Sequence, residues 1–339
     1  MKNFSLNKNI VFLSSSFYPS VGGVEKHVKN VSEVLAKKRH NITVLVRYKK
    51  GYPKYQSIGS ILVYRMPKRD YRPFLNIWYL KNKKLFKDAV IHSHDYFPFS
   101  LRRILKGHTW VHTFHGYEGY PLDPLAIASR KQVSNSVDYT FCVGKFIEKW
   151  YGTKCNEVIW GAAEKPKSIN KDIKYDFIFY GRFEEDTGFE KYIRAFKIIK
   201  STKPKAKMLV VGWGSRHDWA VSYSKKYDLG IEFRSPVSNI YPSLAQAKIA
   251  FVSGYQAIIE SGLMKKSIVA YYDTPIKKDY LEMHPLASSL NIVNSIDGIS
   301  QKALDLMNNS DYKTKKIYNW SVKQSWSYIV KRYEKSYKS

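Results

Sequence analysis

Residues 175–191 hold the strongest chemical signal in the chain. An apolar run, YDFIFYG, ends on Gly181 and Arg182; a polar stretch, RFEEDTG, follows, and a helical pattern begins near Phe189. Glycine lets a backbone come close to a ligand, arginine offers a planar fork of donors, and a helix start offers unpaired amides with a positive dipole end. These are the parts of an anion site, and a phosphorylated ligand fits them. The competing reading is structural, an arginine in a salt bridge at a strand end.

Two other groups have suitable residue types. Gly22 and Gly23, in YPSVGGVEKH, stand between an apolar strand and a helix, as a ligand-approach point or a plain tight turn. His92 and His94 alternate on one face of the strand AVIHSH and, with Asp95, imitate a metal pair. No third ligand follows at matching spacing, so no metal is expected.

The elements that must position these residues alternate along the whole chain. Ile10–Ser14 reads as a strand, the glycine turn enters a helix to about Lys38, and a second strand covers Ile42–Arg47. After a polar KKGYPKYQSIGS come the strand ILVYRM, a basic aromatic helix near Phe74–Lys87, AVIHSH, a helix SLRRILKGH, the strand TWVHTF and the strand YTFCVG. A polar stretch near Trp160–Lys174 reads as a hinge, and the same alternation resumes beyond it. Strand, helix, strand in this order means parallel pairing with crossovers, so each half is a doubly wound α/β sheet with ligands at the carboxyl ends of its strands. The expected division is residues 1–164, residues 165–317 and a terminal helix over 318–339, with Trp320, Trp326, Ile329, Val330 and Tyr333 on its apolar side. A length of 339 residues fits two such domains of roughly 150 each.

Composition narrows the setting. With 57 basic and 28 acidic residues the net charge is +29, which favours a polyanion: an anionic bilayer, a nucleic acid or a charged polysaccharide. Lys-rich coding bias is the plainer explanation. Cys142 and Cys155 have no zinc spacing, and Cys142 lies in an apolar run, which fits a reducing cytosol. The first strand lacks a cleavage pattern and no run reaches about 18 apolar residues, so a cytoplasmic protein, soluble or peripheral on a membrane, is expected.

Seven segments together resemble glycosyltransferase family 4, retaining nucleotide-sugar enzymes of GT-B architecture: FYPSVGGVEKHVKNVSEVLAKKRHNITVL, VIHSHDY, VHTFHGYEG, FIFYGRFEEDTGFEKYIRAF, MLVVGWG, AQAKIAFVSGYQAIIESGLMKKSIVAY and WSVKQSWSYIVKRY. They span nearly the whole chain in family order. The resemblance implies two Rossmann-like domains facing a central cleft, an acceptor-binding first domain, a donor-binding second domain and a terminal helix crossing back onto the first. It also implies a nucleoside-diphosphate sugar, UDP- or GDP-linked, as co-substrate and no cofactor.

By the same resemblance, Arg182 beside Gly181 contacts the donor diphosphate, Glu260 receives the ribose hydroxyls from a helix start, and His115 faces the donor sugar. Gly22, Gly23, Gly212, Gly214, Gly254 and Tyr255 offer close backbone approach, and the EFRSPV segment ending at Val237 lies where family members hold the base. Two positions depart from the pattern. The family lysine five residues after the arginine is Thr187, with Lys191 and Arg216 as possible substitute cations; the first family glutamate is Val252. Cations and aimed amides then stabilise the leaving diphosphate, and its oxygen helps take the acceptor proton with retention. Glu118 and Asp123, after His115, keep an inverting base open.

The expected reaction is hexose transfer to a lipid, a lipid-linked saccharide or another membrane-borne glycan. The segment RMPKRDYRPFLNIWYLKNKKLFK, with Phe74, Trp78, Tyr79 and Phe86, serves either as a membrane-resting helix or as a crossover helix with a core face. Two further readings stay open: a glucosyltransferase acting on DNA, and a catalytically silent sugar-nucleotide or glycan binding protein.

Overall fold

A computed structural model of the chain describes residues 7–20, 22–66, 72–167, 169, 172–309 and 313–338, with the backbone alone for 72–75. The chain divides into two compact units, Met1–Ile159 with Trp326–Ser339, and Trp160–Ser325.

In the first unit, β1 (Asn9–Ser14), β2 (Asn41–Val46), β3 (Tyr55–Ile58), β4 (Ile61–Arg65), β5 (Ala89–His94), β6 (Trp110–Phe114), β7 (Tyr139–Val143) and β8 (Glu157–Ile159) form one sheet. Its order is β3-β4-β2-β1-β5-β6-β7-β8, parallel throughout except for the β3–β4 hairpin. Its helices are α1 (Gly23–Lys37), α2 (Arg72–Lys81), α3 (Phe99–Ile104), α4 (Pro124–Ser134) and α5 (Phe146–Tyr151). The central strands are nearly continuous apolar runs because crossover helices cover both faces of a parallel sheet. On α1 the buried positions His27, Val28, Val31, Ser32 and Leu35 make the single stripe that a helix needs to pack.

Two segments differ from their sequence reading. The polar KKGYPKYQSIGS contains the edge strand β3, half exposed and without an apolar run. The basic aromatic helix is shorter than expected, α2 followed by a 3-10 turn at Lys83–Phe86. Tyr79 and Phe86 are buried in the core with the half-buried Trp78 packed beside them, so Tyr79 and Phe86 do not face solvent, whereas Ile77 and Leu80 do. Residues 67–71 and the Phe74 side chain lie outside the described residues.

The second unit holds β9 (Tyr175–Arg182), β10 (Met208–Trp213), β11 (Glu232–Arg234), β12 (Ala247–Phe251), β13 (Ser267–Tyr271) and β14 (Asn291–Val293), in the order β11-β10-β9-β12-β13-β14, all parallel. Around it run α6 (Phe189–Thr202), α7 (His217–Lys226), α8 (Tyr241–Ala245), α9 (Tyr255–Leu263), α10 (Pro275–Glu282), α11 (Ile296–Asn308) and α12 (Lys313–Ser321). Phe177, Phe179, Tyr192, Phe196 and Phe251 are central to its core.

The tail is two helices, α12 in the second unit and α13 (Trp326–Ser336) in the first. Trp320, expected on the same apolar side as Trp326, instead packs within the second unit beside Ala163, Ile259 and Leu263, because the helical run breaks between α12 and α13. On α13, Tyr333 Oη bonds His27 Nε2 (2.8 Å) and Thr113 Oγ1 (3.0 Å), and Thr113 bonds His92 Nε2 (2.8 Å). His92 Nδ1 in turn meets Tyr337 Oη at 2.7 Å. A chain of satisfied buried polar groups thus ties α1, β5, β6 and α13 together.

Candidate functional site

The Gly181–Arg182 turn closes the carboxyl end of β9. Gly181 pairs with Gly212 on β10, and a Cβ at Gly212 would lie 1.9 Å from the Gly181 carbonyl oxygen; both glycines have positive φ. A Cβ at Gly214 would lie 2.6 Å from the Phe183 backbone. Close backbone approach is thus built into this corner. Phe183, fully buried, stacks on Phe189 at 4.3 Å and anchors the loop. Arg216 donates its amide to the Phe183 carbonyl (3.0 Å), and the Glu184 carboxylate accepts from Ser215 N (2.8 Å) and Oγ (2.6 Å). Arg182 itself is exposed, its guanidinium 2.5 Å from Asp186. Thr187 turns inward, its hydroxyl donating to the carbonyls of Arg182 (3.0 Å) and Glu184 (2.7 Å).

Beside β9, the β12–α9 junction carries Val252, buried, and Gly254 as the α9 N-cap. The Tyr255 amide donates to Tyr280 Oη at 2.7 Å, and the two rings stack at 3.8 Å. That amide is therefore engaged inside the protein. Glu260 is the sixth residue of α9, not at its start, and is buried; Gln256 Nε2 donates to its Oε1 at 3.1 Å. The helix starts directly after its N-cap Gly254, so Glu260 stands in the second turn of α9.

Lys277, in the first turn of α10, is 7 % exposed, and its ammonium donates to the Ser253 carbonyl at 2.9 Å. Burial pulls its pKa down to about 8, against the attraction of Asp186 and Asp273. Lys191 is half-buried in the first turn of α6, and Val237 is exposed beyond β11.

In the first unit, His115 follows β6. Its amide donates to Asp95 Oδ1 (2.9 Å) and its Nε2 meets His94 Nδ1 at 3.0 Å. Arg130, 8 % exposed on α4, donates to the carbonyls of His115 (3.4 Å) and Gly116 (3.1 Å) and to Glu118 (2.6 Å), and lies 4.2 Å from the Tyr151 ring centre. A cavity of about 250 Å³ opens here, lined by Asp95, His112, Glu118 and Arg130 among others. His27 and His112 have pKa values pulled down to about 3 by burial, and burial holds His92, His94 and His115 well below the ordinary histidine range. His94 is brought to a different set of histidines from the His92–Asp95 pairing read in the sequence. Ligand atoms of His27, His94 and His115 lie within 4.8 Å of one another, the one such trio among the described residues; His27 Nε2 bonds Tyr333 and His94 Nδ1 bonds His115 Nε2, while His94 Nε2 is buried without a hydrogen-bond partner. Gly22 caps α1 with Gly23 as its first residue, under the Glu25 carboxylate.

Residues 21–157 match the family model Glycosyltransferase Family 4, and residues 162–262 match Glycosyl transferases group 1. The two matches fall in the two units in turn and together cover well over half of the chain. The chain belongs to glycosyltransferase family 4. It is a transferase enzyme with the GT-B fold. A glycosyltransferase from Rickettsia africae matches at 16% identity over 98% of both chains with a TM-score of 0.71. WaaG, a glycosyltransferase involved in lipopolysaccharide biosynthesis, matches at 12% identity over 96% of this chain and 98% of its own, TM-score 0.68. Trehalose-6-phosphate from E. coli bound with UDP-2-fluoro glucose matches at 12% identity over 97% and 99%, TM-score 0.68. No curated protein is significantly similar to this glycosyltransferase in sequence.

Within the second unit, Gly181, Arg182, Gly212, Gly214 and Arg216 share one corner, with Gly254 and Tyr255 on the next strand end. Glu260 lies further along α9, and His115, Gly22 and Gly23 belong to the first unit. Sequence reading missed Lys277 and Arg130. Each is the first of two adjacent basic residues, Lys277–Lys278 and Arg130–Lys131, with no motif spacing to show which of the two is buried.

Proposed function

We propose that this glycosyltransferase transfers a hexose from a nucleoside-diphosphate sugar, UDP- or GDP-linked, to a glycan carried on a lipid or membrane, with retention. The observation that carries the donor half is the glycine-walled corner at the ends of β9 and β10, with an exposed guanidinium beside it. Backbone without Cβ atoms and a planar cation suit a diphosphate. The UDP sugar bound to the E. coli relative supports the same class of donor.

The acceptor reading rests on the net charge of +29, on the exposed Ile77 and Leu80 of α2 and on the role of WaaG in lipopolysaccharide biosynthesis. No helix among the described residues is long and apolar enough to cross a membrane. In the proposed reaction the bond from the anomeric carbon to the diphosphate oxygen breaks and the acceptor oxygen bonds that carbon from the same face. The acceptor proton passes to the departing phosphate oxygen. Arg182 stabilises the leaving charge, Glu260 binds the ribose and His115 a sugar hydroxyl.

Calorimetric titration of UDP, GDP and ADP tests the donor half. One nucleotide is expected to bind, with affinity lowered about tenfold to a hundredfold in Arg182→Ala. Absence of binding by all three at millimolar concentration overturns the reading. Turnover of the matching nucleotide sugar with lipid-linked glycans then tests the acceptor.

A further inference from the structure

The donor corner has one exposed cation, Arg182; Arg216 is half-buried in the same corner, its amide on the Phe183 carbonyl. A nucleoside diphosphate gains a further negative charge as its sugar leaves, and one arginine already paired with Asp186 is a modest counterion for it. The position that carries a lysine in the family is Thr187. Its hydroxyl is spent on two carbonyls of its own loop, so the side chain belongs to the turn.

Sheet order points to a replacement. The strands β9, β12 and β13 are adjacent, and the segments leaving their carboxyl ends are the Arg182 loop, the Ser253–Gly254 turn and the start of α10. Lys277 lies on the last of these, with its ammonium on the Ser253 carbonyl at 2.9 Å and 4.4 Å from the Tyr280 ring centre. It is within electrostatic reach of Arg182, Asp186 and Asp273, yet among the described residues no carboxylate stands at ion-pair distance from it. A buried ammonium held by one carbonyl and the face of one ring, with no carboxylate beside it, is still costly for the free protein. A bound anion relieves that cost.

We propose that Lys277 supplies the second cation of the diphosphate site, replacing the lysine that Thr187 displaced. This inference rests on the donor-site reading above. It places the specificity of the corner in its charge: a diphosphate engages both Arg182 and Lys277, and a monophosphate does not satisfy both.

The test is calorimetry with UDP, GDP, ADP and their monophosphates on wild type, Arg182→Ala, Lys277→Met and the double variant Lys277→Met/Thr187→Lys. Lys277→Met is expected to lose about tenfold to a hundredfold in diphosphate affinity, with a much smaller loss for the monophosphate. The double variant is expected to recover most of the loss. Lys277→Met removes a buried charge that has no ion pair but also the donor to the Ser253 carbonyl, so the thermal midpoint should change little. A measurement on wild type alone covers a failure of the variant to fold. At pH 8.5, heats in buffers of different ionisation enthalpy should reveal proton uptake on diphosphate binding, because the anion draws a proton onto an ammonium that is partly deprotonated at that pH. Diphosphate binding that Arg182→Ala weakens but Lys277→Met leaves intact, or binding without proton uptake, overturns the assignment of Lys277 alone. Wild type that binds no diphosphate overturns the donor-site reading with it.

Discussion

Arg130 donates to the carbonyls of His115 and Gly116 and to the Glu118 carboxylate, while Asp95 takes the His115 amide. These bonds hold the histidine loop from both ends, and the Tyr151 ring covers the guanidinium. Replacing Arg130 by Met leaves two carbonyls without donors and frees the loop; Glu118, half exposed, can rehydrate. The expected cost is about 1–3 kcal/mol in stability. Because misplacement of a reacting group by about 1 Å can cost 10²-fold, turnover should fall at least about tenfold at saturating donor. Nucleotide affinity should not change, since Arg130 lies in the first unit and the nucleotide corner in the second. Equal losses in nucleotide affinity and turnover would contradict this division of labour.

The β9–β10 pair shows at the level of an element what the sequence made legible. Apolar runs of five to eight residues identified the central strands, because a parallel sheet covered on both faces tolerates little else. The short edge strand β3 escaped, since its YQSI alternates half-buried and exposed positions and takes its register from a hairpin. The glycines of GRF and VVGWG were readable as punctuation, but their pairing across the sheet was not. Gly181 opposite Gly212 is a tertiary fact, and so is the approach of Lys277 to Ser253 from 24 residues away. The geometry separates two glycines that look alike in sequence. Gly212→Ala puts a methyl 1.9 Å from a backbone oxygen at φ +147°, so a loss of about 3 kcal/mol or more is expected in denaturant unfolding of the second unit. Gly23→Ala meets nothing within 4 Å and starts a helix, so its effect should stay within about 0.5 kcal/mol. Similar midpoints for the two variants would refute the close-approach account.

Across the whole molecule the two units differ in buried histidine. The first unit contains His27, His92, His94, His112 and His115, all held below the ordinary range by burial; the second contains His284, pulled down to about 3. A base whose pKa is lower in the folded state binds fewer protons there than in the unfolded chain. Stability therefore rises with pH across the interval between the two values, and the contribution is complete above about 6.5 and lost as pH falls below it. For His27 and His112 the interval runs from about 6.5 to about 3. Each such histidine changes stability by about 1.4 kcal/mol per pH unit within its interval. Asp95, raised to about 7 by desolvation, acts in the opposite sense, one group against five. A domain stability of about 5–15 kcal/mol cannot survive more than about two pH units of a slope built from several such groups. The first unit should therefore unfold near pH 5 while the second persists. Hydrogen exchange read by mass spectrometry at pH 7, 6 and 5, corrected for the intrinsic rate, follows the two separately. Protection should vanish first over 89–115 and remain over 175–182. Retention of both to pH 4, or loss of the second unit first, would mean that the histidine core is not what limits acid stability.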